Sequence, residues 1–355
     1  MSQKLKHFLY HTNVIKRRYK LIPKILSGYA KTLLLRKNVL RTIEFALLAE
    51  CNSKCVSCYA TKIKKEDDTY LTVDEYRDIW KQASRLGVFS VILSGGEPTL
   101  RKDIFDIIAV MEPESTIFAI VSNSLNLNAS YLADLKKSGV GTIHLSLDST
   151  DEATNDQFRG AEGHFKKVIE SIEEAKKQGM AVCISTIIMH NGMAKMKEMV
   201  RFAKDHQIGI VFSLACASGK WSDAENTLLL PEEWEYVQRY MKENAHIRSD
   251  WTINLSMKQE CPGGREKLSI SSYGEVTGCG MNYVSFGNVR DEPLEKIWRR
   301  MCNFPDFKRR SRDCLIGADH EYIEKYIKPL SGLNVPVRID KHPTNPISIK
   351  ELENK

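Results

Sequence analysis

No apolar run in this chain approaches the ~20 residues that a helix needs to cross a bilayer, so a membrane span is not expected. The N-terminus has no compact apolar core followed by small residues, and no secretory signal is read there. Internal repeats and low-complexity tracts are missing too. Acid is missing from the beginning of the chain: eleven Lys or Arg precede Glu44, and no Asp or Glu does. The whole chain carries +7, so the residues from Glu44 onward carry 7 − 11 = −4. The basic excess therefore belongs to the N-terminal segment, not to the body. No basic platform interleaved with aromatics stands elsewhere, so nucleic acid is not expected as a partner.

Cysteine is not scarce. There are nine, at 51, 55, 58, 183, 216, 261, 279, 302 and 314. In an unsecreted chain such a number reads as metal binding in a reducing cytosol, not as a disulfide scaffold. A length of 355 residues suits one large domain and a smaller one.

Three of the cysteines crowd together. Cys51, Cys55 and Cys58 are spaced C-x₃-C-x₂-C, followed by Tyr59, just after the apolar run Ile43–Leu48. Thiolates are soft ligands suited to iron–sulfur clusters and zinc. A closed structural site wants four ligands, and three leave one position open for chemistry. After the next apolar run comes Ser94-Gly95-Gly96-Glu97-Pro98. Paired glycines let backbone approach a ligand closely and offer it amide groups.

The cysteine spacing resembles the signature of the radical S-adenosylmethionine (SAM) enzymes, and Gly-Gly-Glu-Pro resembles that family's SAM-binding motif. The resemblance implies that Cys51, Cys55 and Cys58 hold three irons of a [4Fe–4S] cluster. The fourth iron then binds the methionine part of SAM, and an electron from the cluster splits SAM into methionine and a 5′-deoxyadenosyl radical. It implies that Gly95, Gly96 and Glu97 hold the methionine amino group. Further SAM contacts are expected at Asn123, Ser146, Asp148 and Arg159. Asn123 ends the third strand where relatives carry Thr-Asn-Gly, and here Ser124 replaces the glycine. Arg159 belongs to the segment Asp156-Gln157-Phe158-Arg159-Gly160 and is matched to the SAM carboxylate. Plainer roles stand beside these: Asn123 as a turn residue, Asp148 with Thr150 as a helix cap, Arg159 as a helix-end cation. Thr186 and Asn191 bracket the fifth strand as a further SAM support. Cys183 and Cys216 read first as core packing. Cys216, like His190, also stands where it could face a substrate.

Hydrophobic periodicity gives strands near 43–48, 88–93, 116–121, 142–147, 181–189 and 208–214, with amphipathic helices near 73–86, 101–111, 129–138, 163–179 and 193–206. Alternation of this kind implies an α/β fold with a parallel sheet and right-handed crossovers. Six units resemble the partial (β/α)₆ TIM-type barrel of the same family, with functional groups at the C-terminal strand ends. A second cysteine group follows. Cys261-Pro262-Gly263-Gly264 and Cys279 flank a predicted hairpin of Leu268–Ser271 and Gly274–Val276. Phe286–Val289 and the helix beginning Leu294–Trp298 come next. This run resembles the family's small C-terminal α+β extension, the SPASM or shorter twitch region, which binds an auxiliary [4Fe–4S] cluster. Cys261, Cys279 and Cys314 are the expected ligands, the fourth being Cys302, His320, an acid or substrate. The tight C-x₂-C usual after the Trp helix is missing.

The expected division is 1–41 as a basic amphipathic segment and 42–220 as the barrel. Residues 221–254 form a linker region with a helix over Pro231–Asn244, 255–330 the auxiliary-cluster region, and 331–355 an extended, partly loose tail. In the first segment Leu21, Ile22, Ile25, Leu26, Tyr29, Leu33 and Leu34 recur at helical spacing among basic residues. Such a helix either lies on an anionic membrane surface or packs on the body. The expected function is a radical SAM enzyme that abstracts a substrate hydrogen on the way to oxidation, epimerisation or bond formation. Its substrate is read as a small or lipid-linked molecule, with a ribosomal peptide as the alternative. Against the peptide, the first segment is short for the usual peptide-recognition domain. A non-catalytic iron–sulfur or zinc protein is the rival from another class, and Gly-Gly-Glu-Pro argues against it. A reductant of the flavodoxin or ferredoxin kind is implied, and the expected location is cytoplasmic, at the inner face of the membrane if the first segment binds lipid.

Overall fold

β-branched and aromatic residues alternate between buried and half-buried positions along β3 (Ile117–Ser122), as a strand packed between helices and a barrel interior requires. The computed structural model describes residues 20–63, 69–222, 225–244, 247–249 and 260–353. In it β1 (Thr42–Ala46), β2 (Ser90–Ser94), β3, β4 (Val140–Ser146), β5 (Ala181–Ile188), β6 (Gly209–Leu214) and β7 (Ile247–Ser249) pair in parallel in chain order. The helices are α1 (Leu21–Tyr29), α2 (Val73–Leu86), α3 (Ile104–Ala109), α4 (Ala129–Lys137), α5 (Glu152–Arg159), α6 (His164–Lys177), α7 (Met193–Asp205), α8 (Pro231–Glu243) and α9 (Leu294–Asn303), besides shorter turns. α2 is framed by its own sequence: Thr72 and Glu75 form a capping box, and Gly87 closes the helix in the left-handed conformation. No helix among the described residues is long and apolar enough to cross a membrane.

The sheet does not stop at β1. Within the extension, β8 (Lys267–Ile270) pairs in parallel with β1 from Thr42 opposite Lys267 to Phe45 opposite Ile270. β9 (Glu275–Thr277) and β10 (Val284–Asn288) continue antiparallel, and β11 (Val337–Arg338) joins β10 in parallel. The extension thus grows from the first edge of the barrel sheet. Two buried ion pairs seal this seam: Arg41 Nε to Glu266 Oε2 at 2.7 Å and Lys267 Nζ to Glu44 Oε2 at 2.8 Å. Burial alone would raise the Glu44 pKa, but the Lys267 charge and hydrogen bond outweigh it and hold the carboxyl below its usual range. At the far side of the barrel, Gly317 packs so closely on the end of β6 that a Cβ there would lie 2.9 Å from the Ala215 carbonyl. Trp234 Nε1 donates to Asp313 Oδ1 at 2.6 Å nearby. The extension therefore touches the first strand of the barrel sheet and the end of its sixth.

The helix expected over 101–111 is shorter, Ile104–Ala109, because Arg101 is held extended, its side chain paired with Asp103. α5 was foreseen only as the helix that Asp148 could cap and Arg159 could end, and β7 was not foreseen. The tail is a correction. Val337–Arg338 is a strand, Leu352 is fully buried, and Glu353 pairs with the buried Arg300, so the chain end is tied down. The first half of the basic segment, and part of the linker after Ser249, lie outside the described residues.

Removing one member of a buried ion pair strands its partner. Lys267→Met is expected to lower stability by about 3–5 kcal/mol in urea unfolding, and the Glu44→Leu/Lys267→Met double variant to recover most of that loss.

Candidate cluster and cofactor site

The cysteine loop runs from Ala49 to Tyr59 with no strand or α-helix of its own. Its backbone is held from outside. Gly96 N–H donates to Leu48 O and Glu97 N–H to Glu50 O, each at 2.8 Å, so the Gly-Gly-Glu run extends β2 along the approach to Cys51. Val56 N–H donates to Phe158 O at 3.0 Å, and Lys220 N–H to Cys58 O at 3.1 Å. Ser53 Oγ donates to Arg159 O at 2.5 Å. Glycine permits each approach. A Cβ on Gly96, Gly160 or Gly219 would fall within 2.5 Å of the carbonyl of Glu50, Lys54 or Cys58, respectively. Gly160 and Gly219 also adopt the left-handed region, at φ +58° and +60°. So Gly95 and Gly96 bring the chain's own cysteine loop close. The expectation gave that closeness to a ligand.

Glu97 is buried and saturated on one oxygen. Its Oε1 accepts from Thr99 Oγ1 at 2.6 Å, Ser122 Oγ at 2.9 Å and Thr99 N–H at 3.1 Å, while Oε2 accepts from Asn123 N–H at 2.7 Å. Burial raises its pKa against the pull of these bonds. The carboxylate thereby fixes the end of β3, and Asn123 carries the effect to the loop. Asn123 Nδ2 donates to Asn52 Oδ1 at 2.7 Å and reaches Cys51 Sγ at 3.5 Å. The missing Thr-Asn-Gly glycine leaves no change of course: Ser124 takes the left-handed conformation itself, at φ +71°, with its hydroxyl buried and unpartnered.

Asp148 and Arg159 are placed differently from expectation. Asp148 is fully buried, pairs with Arg159, and accepts from Ile187 N–H at 2.8 Å. It does not cap the next helix, because Asp151 does. As placed, it supports Arg159. Burial works against the Arg159 charge, but Asp148 and the adjacent Cys55 thiol outweigh it. Ser146 is half-buried at the end of β4. Thr186 lies against Asp148. The Asn191 N–H donates to Glu233 Oε1 of α8 at 2.8 Å, and His190 Nδ1 lies 2.9 Å from Glu233 Oε2. Cys183 and Cys216 are buried, and Cys216 donates to Leu214 O at 3.2 Å, consistent with packing.

One residue carried no sequence signal. His164, wholly buried, contacts Asn155 Nδ2 through Nδ1 at 2.9 Å, and Asn155 Oδ1 accepts from Asp148 N–H. Burial, then the Arg159 charge, lowers the His164 pKa to about 4, so the ring is neutral and faces the Asn123 backbone. It links a chain of contacts that runs from Glu97 through Asn123, His164, Asn155 and Asp148 to Arg159, which lies beside Cys55.

The sulfurs are set up for metal. Cys51 is pushed up to about 11 by desolvation, against the Ser53 amide and with Glu97 and its sister thiols adding to the rise. Amides of Ala60 and Thr61 point at Cys58. In the extension Cys261 is likewise pushed up to about 11, by burial and then by Cys314, with the Gly263 and Leu315 amides aimed at its sulfur. Burial raises Cys279 as well, against Lys267 and with Cys314 and Cys261. Cys302 lies beside Asn38, and His320 is exposed. Among the described residues no three His, Cys, Asp or Glu converge on a point fit for one metal ion. Two triads of soft thiols with amides aimed at sulfur fit iron–sulfur clusters, which spread their ligands wider than one ion. The seam between barrel and extension holds a cavity of about 20 Å³ lined by Tyr59, Gly95, Ser269, Thr277 and Tyr283, room for about one water.

Comparison with known proteins agrees with this geometry. Residues 47–204 match the radical SAM superfamily, and residues 261–316 match an iron–sulfur cluster-binding domain, SPASM. An AdoMet-dependent heme synthase of Methanosarcina barkeri is 26% identical over 294 residues, 74% of this chain and 82% of that one. An Fe-coproporphyrin III synthase of the same organism is 25% identical over 70% of this chain and 71% of its own. Among solved structures, Streptococcus suis SuiB bound to precursor peptide SuiA superposes with a TM-score of 0.60 at 20% identity, over 76% of this chain and 67% of that one.

Two variants test the loop's supports. Gly219→Ala, at a position no motif marks, is expected to impair cluster incorporation as severely as Gly96→Ala, read as iron and sulfide per chain after reconstitution. Ser124→Gly is expected to raise stability by roughly 1 kcal/mol, by relieving left-handed strain and a buried unpaired hydroxyl.

Proposed function

The chain belongs to the radical SAM enzymes and carries a SPASM-type extension, and on that premise we propose that it removes a hydrogen atom from a small-molecule substrate. The observation that carries this reading is the reach of the similarity. Relatives named for heme and Fe-coproporphyrin synthesis match over 74% and 70% of this chain. Iron-porphyrin precursors of the kind in those names are the first substrate class. A ribosomal peptide is the second reading, favoured by the SuiB fold solved with its precursor peptide.

In this reading Cys51, Cys55 and Cys58 hold the SAM-binding [4Fe–4S] cluster, and Cys261, Cys279 and Cys314 hold the auxiliary one. When bound, the first cluster and SAM supply a 5′-deoxyadenosyl radical. The residues of the chain bind and orient. The Gly95–Glu97 backbone, Asn123 and Ser146, at the ends of β2, β3 and β4, line the SAM side of the cysteine loop. Glu97 keeps one lone pair on Oε2 for the methionine amino group after its four protein bonds. Asp148 positions Arg159, and Arg159 sets its charge against Cys55. Because the reaction needs electrons from outside, a flavodoxin- or ferredoxin-type reductant is part of the proposal. So is a cytoplasmic position at the inner face of a membrane, reached through residues 1–41.

The test is anaerobic reconstitution with a strong reductant, following 5′-deoxyadenosine. The intact chain is expected to form it and a Cys51/Cys55/Cys58→Ala chain is not. Iron-coproporphyrin is expected to raise its formation and to be altered in mass. Acceleration and mass change by a candidate peptide instead would overturn the small-molecule reading and leave the enzyme class standing.

A further inference from the structure

The first described helix has two apolar faces, and only one is used. Leu21 is fully buried against Val39 and Phe89, with Ile25 and Tyr29 packed beside it. Lys24 fastens the same side, donating to Ser84 Oγ at 3.1 Å with its ammonium near the Trp80 ring. This inner face satisfies the expectation of a helix packing on the body. The outer face is left over. Ile22 and Leu26 project from α1, and Leu33, Leu34 and Leu35 from the wide turn Ala30–Leu34 and its end. Of the eight exposed large hydrophobic side chains among the described residues, these make five. Leu26 is 63% and Leu34 79% exposed. Single exposed leucines need no explanation, but a contiguous group within fourteen residues does.

Charge says what this face fits. Lys20, Lys31, Arg36 and Lys37 are all exposed along the same segment, and no acid occurs in the sequence before Glu44. A protein partner or a second copy would also cover leucines. A second copy would, however, set this all-basic segment against its own twin, where like charges repel. An anionic bilayer takes both features at once: leucines enter the acyl boundary while cations stay at the headgroups.

We propose that Ile22, Leu26 and Leu33–Leu35, framed by Lys20, Lys31, Arg36 and Lys37, form a docking face for an anionic membrane surface. This rests on the peripheral position proposed above and is independent of the substrate. The face lies on the side of α1 away from β2 and Trp80, so docking leaves the inner packing intact. Each cation near the surface is worth roughly fivefold in partitioning, which makes binding salt-sensitive.

The experiment is flotation of the full reconstituted chain with phosphatidylcholine vesicles, with and without phosphatidylglycerol. The chain is expected to float with the anionic vesicles at low salt and to be released at high salt. The Leu33→Gln/Leu34→Gln/Leu35→Gln variant should lose roughly tenfold or more of this binding. Lys31→Gln/Arg36→Gln/Lys37→Gln should lose it in proportion to charge. Both variants alter exposed side chains, and unchanged thermal unfolding will confirm that they fold. If the parent chain floats and the leucine variant floats equally, the face assignment fails while the peripheral position stands. If the parent binds no vesicle, both fail. If the leucine substitutions instead convert a dimer to a monomer in sedimentation, the face is covered by a second copy and the proposal is overturned. Deoxyadenosine formation reads the substrate proposal separately.

Discussion

A loop with no strand or α-helix of its own must borrow its shape, and here the loop carries the cysteines. Its carbonyls at Glu50, Lys54 and Cys58, one beside each thiol, are met by Gly96, Gly160 and Gly219. These glycines come from three separate places: the end of β2, the end of α5 and the turn after β6. Any side chain at these points would push the loop away from the sheet, and the thiols would move with it. The barrel's role is therefore concrete. Parallel strands bring distant segments to one edge, and glycine lets them close to hydrogen-bonding distance. Three contacts spaced along an eleven-residue loop leave it little freedom to reorganise when a cluster binds. That is preorganisation achieved with backbone alone.

The same logic joins the extension to the barrel. Had the hairpin folded as a separate module, a flexible linker would set the distance between the two thiol groups. Instead β8 is hydrogen-bonded to β1, two residues of β1 and its lead-in form buried ion pairs with the β8 segment, and Tyr283 donates to Tyr59 O at 2.6 Å, next to Cys58. The separation between Cys58 and Cys279 is then fixed by strand register, which side-chain alternation protects against slipping.

Much of this was legible in the sequence, for identifiable reasons. Strands and helices of the barrel are long and strongly periodic, so six parallel strands and most helices were expected where they occur. The cysteine triads are local or carried by resemblance. What escaped detection was non-local. Nothing in Lys267-Leu268-Ser269-Ile270 says that it will pair with a strand more than two hundred residues earlier. The buried pairing of Asp148 with Arg159 was hidden because each residue alone matches a ligand contact or a cap. Gly219 stands in no motif, and its requirement appears only when the Cys58 carbonyl is opposite it. The tail looked loose from its three prolines, yet Arg300, buried within α9, needs the carboxylates of Glu292 and Glu353, and that need anchors the chain end. At α1 the amphipathic pattern was read as a choice between membrane and body. Apolar residues in fact cover more than one side, so one can be packed and the other remain exposed.

The two thiol groups also share an electrostatic arrangement that no spacing displays. Arg159 lies beside Cys55 with Asp148 behind it; Lys267 acts on Cys279 with Glu44 behind it. Asp148 is fully buried and the Glu44 side chain is 14% exposed, so each cation is held in place and its charge largely cancelled at a distance. Lys267 pulls the Cys279 thiol down against the burial that raises it, and the pair with Glu44 adds no net charge to the core. A lone buried cation would do this more strongly, but at a desolvation cost of several kcal/mol. The pair is the cheaper solution, and one stands beside a thiol in each of the two triads.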